Sequence, residues 1–179
     1  MRVTFVRVPD HQRGWALVER DDGVVYRIDG GPVTAALPHD LVHFTVERTL
    51  GMADGIWGTI AAGAVFRSMT HHSGRRPPHA ADRSAALIRA FRDRLQRAEL
   101  IADFVERIAA SPDAPTAQVR RLAELHLRRV PHTEQDLSAF TAAARALGEA
   151  AEQWRALPVG GQLAFDWPAR QRLAHPVRR

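Results

Sequence analysis

The chain has no cysteine and no lysine, although 25 of its 179 residues are basic. The first absence excludes disulfides, thiolate metal ligands and a cysteine nucleophile, and leaves the redox compartment open. The second excludes a Schiff-base lysine, a lysine general base and the lysine of a Walker-type phosphate loop. Every basic residue is arginine, which with the many alanines points to a GC-rich genome rather than to a mechanism. No run is apolar for the roughly 18 residues that a membrane-spanning helix needs. The start, MRVTFVRVPD, lacks the apolar core of a signal peptide. A cytoplasmic protein without membrane association is the expectation. A dinucleotide glycine fingerprint, a P-loop, a nucleophile elbow and an internal repeat are all missing, and nothing marks a helix-turn-helix recognition helix.

What is present is an ordinary globular composition, 45% hydrophobic and 25% charged, in a chain long enough to bury a core. The net charge of +5 and the pI of about 11.1 reflect arginine, which cannot be titrated away. They are compatible with nucleic-acid or anion binding and require neither.

The stretch from Leu37 to Met69 is the most apolar. It also carries a compact group of reactive side chains, His39, Asp40, His43 and Glu47. Pro38 suits a first helical turn, and Gly51 suits the residue after a helix, so a helix is expected over 39–50. At about 100° per residue the four polar side chains share one sector, bordered by Val42, Val46 and Leu50 on one side and Phe44 on the other. A helix that is apolar over most of its circumference is buried, and buried polar groups need partners. The partner can be a metal, a ligand or an arginine of the chain itself. On the plainest alternative the histidines are core residues bonded to backbone carbonyls, with Asp40 favoured by the helix dipole and Glu47 paired with an arginine.

Histidines at i and i+4 lie on one side of a helix, a spacing that lets both bind one ion. His39-Asp40-x-x-His43 resembles the His-Glu-x-x-His signature of zinc peptidases over five residues. That resemblance implies two histidine ligands and a carboxylate base. Here Asp40 stands where the signature has Glu, one methylene shorter. Glu47 lies about 12 Å along the axis from His39, at about 1.5 Å per residue, which is awkward for a third ligand beside both histidines; one ion can be shared by His39 and His43, or by His43 and Glu47. The Pro38-His39-Asp40-Leu41-Val42-His43 segment also resembles one in short uncharacterised actinobacterial proteins, a resemblance that implies no activity.

A second helix is expected over 54–69, after a connector short enough to favour an αα-hairpin. Its end would return to the level of His39 and His43 and bring His71 and His72 near them. Thr70 to Ala80 reads as a loop, in which Arg75 and Arg76 are a candidate anion site. Before the central stretch, the alternating runs Arg2 to Val8, Gly14 to Glu19 and Val24 to Ile28 predict a three-stranded meander. An Asp-Gly hairpin signal joins the last two, and Gly30-Gly31-Pro32 ends it. After the loop, a long helix over 82–110 has an apolar seam of Ile88, Phe91, Leu95, Ala98, Ala102, Val105 and Ala109. A shorter helix follows over 115–129, in which His126 reads as a core or boundary residue. A third runs over 133–157, capped by Thr133 with Asp136. Gln162 to Trp167 alternates and predicts a strand at the edge of the meander, since Pro168 cannot continue a central ladder.

The expected architecture is α+β. One domain over 1–168 would hold a small antiparallel sheet of three N-terminal strands and one C-terminal strand. About five helices would pack on it, including a central αα-hairpin and two long seamed helices. Residues 169–179 would form a frayed basic tail. Two functions follow. One is a metal-binding protein, or metal-dependent hydrolase, holding a divalent ion (zinc first) with His39, His43 and a third ligand from His71, His72 or Glu47, with Asp40 as base or supporting carboxylate and with Asp40 and Glu47 as the catalytic carboxylates. The other is a non-enzymatic helical module, a homodimer or a partner of acidic proteins or nucleic acid through its arginine faces.

Overall fold

The computed structural model describes residues 1–9, 13–34 and 37–174. Five antiparallel strands form the sheet in the order β5-β3-β2-β1-β6: β1 (Arg2–Val6), β2 (Arg13–Glu19), β3 (Val25–Thr34), β5 (Met69–Ser73) and β6 (Gln162–Asp166). A two-residue strand, β4 (Leu37–Pro38), pairs with the end of β3 and leads directly into α1. The described residues form six α-helices: α1 (His39–Leu50), α2 (Ile56–Ala61), α3 (Ala80–Ala90), α4 (Arg92–Ala109), α5 (Thr116–His126) and α6 (Glu134–Ala156).

Strand alternation sets the inner face of the sheet. One cross-strand row reads Leu163–Phe5–Ala16–Ile28–Met69, and the next reads Phe165–Val3–Val18–Tyr26–His71. Helix α1 packs on β3 on one side and on α4 and α6 on the other. Leu41, Val42, Phe44 and Val46 are all buried there. Phe44 stands edge-on to Phe5 at 5.6 Å, to Trp57 at 5.2 Å and to Trp167 at 5.5 Å. Each such pair contributes about 0.5–1.5 kcal/mol beyond the area it buries. The cluster fixes the rotation of α1, and with it the direction in which His39 and His43 point.

The N-terminal meander, β6 at its edge and the capped α6 agree with the sequence reading. Thr133 and Asp136 make the reciprocal capping box. Four features differ. The sheet has five strands rather than four, because residues read as helix end and loop form β5. Strand β3 runs through Gly30-Gly31-Pro32 instead of ending there. A Cβ at Gly30 would meet the Gly14 carbonyl oxygen at 2.6 Å, so the glycine permits a close strand approach and does not mark a break. The seam over 82–110 is two helices, α3 and α4, divided at Phe91. The expected tail is packed as far as Leu173: Trp167 Nε1 donates to the Gln171 carbonyl at 3.0 Å, and Gln171 Nε2 donates to the Arg48 carbonyl at 3.1 Å. The rest of that tail, 175–179, lies outside the described residues.

The central αα-hairpin is also corrected. Helix α2 has six residues, not sixteen. Gly63, at φ 115°, stops it: its N–H bonds the Ile60 carbonyl and that of Ala64 bonds the Thr59 carbonyl. This is the Schellman pattern, which satisfies the last carbonyls of a helix through a left-handed glycine. The chain then returns as β5 along β3. His71 and His72 therefore sit on a strand and not at the end of a second long helix.

Candidate metal centre

The site begins where β4 feeds α1. Pro38 lies at the N-cap, one residue ahead of the expected position, so His39 and Asp40 occupy the first turn and His43 the second. Ala98 and Ala102 are buried on the α4 face. Their small side chains let α4 lie close to α1 and bring in Glu99, a residue with no part in the sequence reading. Glu99 Oε2 is 3.1 Å from His43 Nε2 and 4.0 Å from His39 Nε2. One ligating atom from each of His39, His43 and Glu99 falls within 4.8 Å of the others, the one such metal-capable group among the described residues.

Bond lengths of about 2.0–2.2 Å at a tetrahedral zinc put its ligand atoms about 3.3 Å apart. The His43–Glu99 edge already has that spacing. The His39–Glu99 edge would close by about 0.7 Å, and the His39 side chain, 45% exposed, has room to turn. Two imidazoles and one carboxylate make a donor set for zinc, iron or manganese with coordination positions left for water or substrate.

Glu47 has a different place from that expected. Its side chain is fully buried beneath His43, with Oε1 3.4 Å from His43 Nδ1. The same carboxylate accepts the Ile56 N–H at 3.1 Å and the Trp57 N–H at 2.9 Å. It thus caps α2, whose own N-cap residue, Gly55, has no side chain to do so. A Cβ at Gly55 would overlap the Glu47 carboxylate. Glu47 is no ligand. It receives the Nδ1–H of His43 and leaves Nε2 aimed at Glu99, the arrangement by which carboxylates orient metal-binding imidazoles.

The electrostatics follow the geometry. Burial alone would push the His43 imidazole down, but hydrogen bonds to Glu47 and Glu99 and their charges outweigh it and hold the pKa at about 9. Burial pushes the Glu47 carboxyl up, against the pull of His43 and the two backbone N–H groups. The His43 contact holds Glu99 below its usual range, with partial burial opposing. Asp40 is raised by burial, against the charges of His39 and His43. A doubly protonated His43 between two carboxylates marks a place where positive charge is stabilised, which a divalent ion can supply in place of the proton.

Asp40 lines the adjoining cleft of about 240 Å³ together with His39, His43 and Glu99. The remaining walls are mostly apolar, from Ile28, Ile60, Phe66, Met69 and Leu95 among others. His71 and His72 stay outside. His71 is exposed, with its Nε2 2.8 Å from the Gly74 carbonyl and its ring edge-on to Tyr26. His72, next along the strand, is exposed at the register shift of β5 against β3. Arg75 and Arg76 are exposed beyond β5 and do not line the cleft.

Comparison of the chain with protein-family models, with curated proteins and with solved structures gives no match.

Proposed function

We propose that this protein binds one divalent metal ion through His39 Nε2, His43 Nε2 and a Glu99 oxygen, and that the centre serves hydrolysis. The observation that carries the reading is the convergence of these three atoms from two helices at the mouth of a formed cleft. The orientation of His43 by Glu47 supports it. Such an ion lowers the pKa of a coordinated water towards about 7. Asp40 lines the same cleft and is the carboxylate we assign to accept that water's proton. Its burial raises its pKa, which brings a carboxylate base closer to neutral working pH.

The test is elemental analysis of untagged protein, wild type beside His39→Ala and Glu99→Ala. Both side chains are about half exposed, so neither variant removes core packing. The expected result is about one zinc, iron or manganese per chain in the wild type and a loss of it in both variants. Metal-free protein in all three after reconstitution would sink the proposal.

A further inference from the structure

We infer that the cleft selects an uncharged, apolar acyl compound, an ester or amide with a short hydrocarbon group, and rejects phosphate esters. The inference rests on the metal reading above. Arginine supplies all 25 basic residues of this chain, yet among the described residues none lines the cleft. Its charged lining residues are Asp40 and Glu99, beside His39 and His43. With neutral imidazoles as ligands, Asp40 and Glu99 offset the charge of a divalent ion, and the Glu47 carboxylate stands behind His43, so the loaded site carries no excess positive charge to hold an anion. Phosphoryl chemistry depends on cationic clamps on the phosphate oxygens, and apart from the ion itself no cationic clamp of arginine stands among the described lining residues. The apolar walls suit a hydrocarbon substituent, and the volume of about 240 Å³ lies near the small end of ligand sites.

In the step this implies, the oxygen of the attacking water bonds to the carbonyl carbon while Asp40 takes the water's proton. The bond from that carbon to the alcohol oxygen or amine nitrogen then breaks. The departing atom receives the proton from Asp40, and the acid product leaves. No oxidant or further reactant is needed.

The experiment uses full-length protein reconstituted with zinc, its metal content measured first. p-Nitrophenyl butyrate and p-nitrophenyl phosphate are assayed in parallel with the wild type, Asp40→Asn and Leu95→Arg. With zinc bound, the butyrate should be hydrolysed with kcat/KM at least 100-fold above that for the phosphate. Asp40→Asn should lower kcat by about 10²–10⁴-fold with zinc retained. Leu95→Arg, at a half-buried wall position, should lower kcat/KM for the butyrate at least tenfold, also with zinc retained. Zinc bound with the phosphate preferred, or with neither ester cleaved, would overturn the inference and leave the metal centre standing. Failure to bind zinc would overturn both.

Discussion

Two glutamates reach the same imidazole from two regions of the molecule, and they do opposite things. Glu47, inside the sheet–helix core, meets His43 Nδ1 and spends both oxygens on it and on the first turn of α2. Glu99, on the surface of α4, meets His43 Nε2 with half of its side chain in solvent. The first is committed to structure; the second faces His43 and, at 4.0 Å, His39, and stays open to an ion in place of the His43 proton. Residue type does not distinguish them. What distinguishes them is how many donors each carboxylate already has and how much water it keeps.

The largest effect expected from breaking this contrast is at Glu47. Glu47→Ala strips a buried imidazolium of its partner and leaves two helix N–H groups unpaired. Removing one side of a buried pair costs about 3–5 kcal/mol, which urea denaturation of the metal-free protein will show. Glu47→Gln keeps an acceptor for the N–H groups and should cost less.

Next comes pH. The folded state holds the His43 proton more tightly (pKa about 9) than the unfolded chain does (about 6.5). This contribution to stability is therefore fully present below about pH 6.5 and disappears as pH rises towards 9. The urea midpoint of metal-free protein should fall across that window, and Glu47→Ala should flatten the fall.

Gly55→Ala sharpens the contrast without touching a charge. The added methyl displaces the Glu47 carboxylate, and overpacking of this kind costs about 1–3 kcal/mol. Thermal unfolding will report it. The smallest stability effect is at the other glutamate. Glu99→Ala removes a carboxylate that is half in solvent, while the buried His43 keeps Glu47; the loss is worth about 1 kcal/mol, and the denaturation curve should lie close to that of the wild type.

Much of the frame was legible in the chain. Alternation in β1–β3 and in Leu163 and Phe165 gave the strands, and Pro168 gave the edge position of β6. The Thr133–Asp136 box placed the start of α6, and Gly51, at φ 70°, ended α1. The i, i+4 histidines were visible as a pair because helix geometry alone puts them together. Strand β5 was not visible. It lies on the sheet edge with every residue after Met69 exposed, so Thr70-His71-His72-Ser73 shows no apolar alternation. The early end of α2 depends on Gly63 adopting a left-handed conformation, among glycines and alanines that read equally well as a close-packing helix face. Glu99 was hidden for a different reason. It flanks the Ala98–Ala102 seam, where a charged residue reads as solvated, and its role is fixed by how α4 crosses α1. No local pattern carries that angle. Glu47 was found as a buried polar group, but its function was assigned to the wrong partner because the α2 N-terminus that it caps comes from tertiary packing.

The most direct test of the account is a calorimetric zinc titration of Glu99→Ala and Glu47→Gln beside the wild type. The account predicts one site in the wild type and no measurable binding in Glu99→Ala despite unchanged stability. In Glu47→Gln the site should survive with affinity lowered about 10–100-fold, the usual cost of losing a carboxylate behind a ligating histidine. Wild-type affinity in Glu99→Ala would contradict the assignment of Glu99 as a ligand, and with it the claim that the two glutamates divide structure from chemistry.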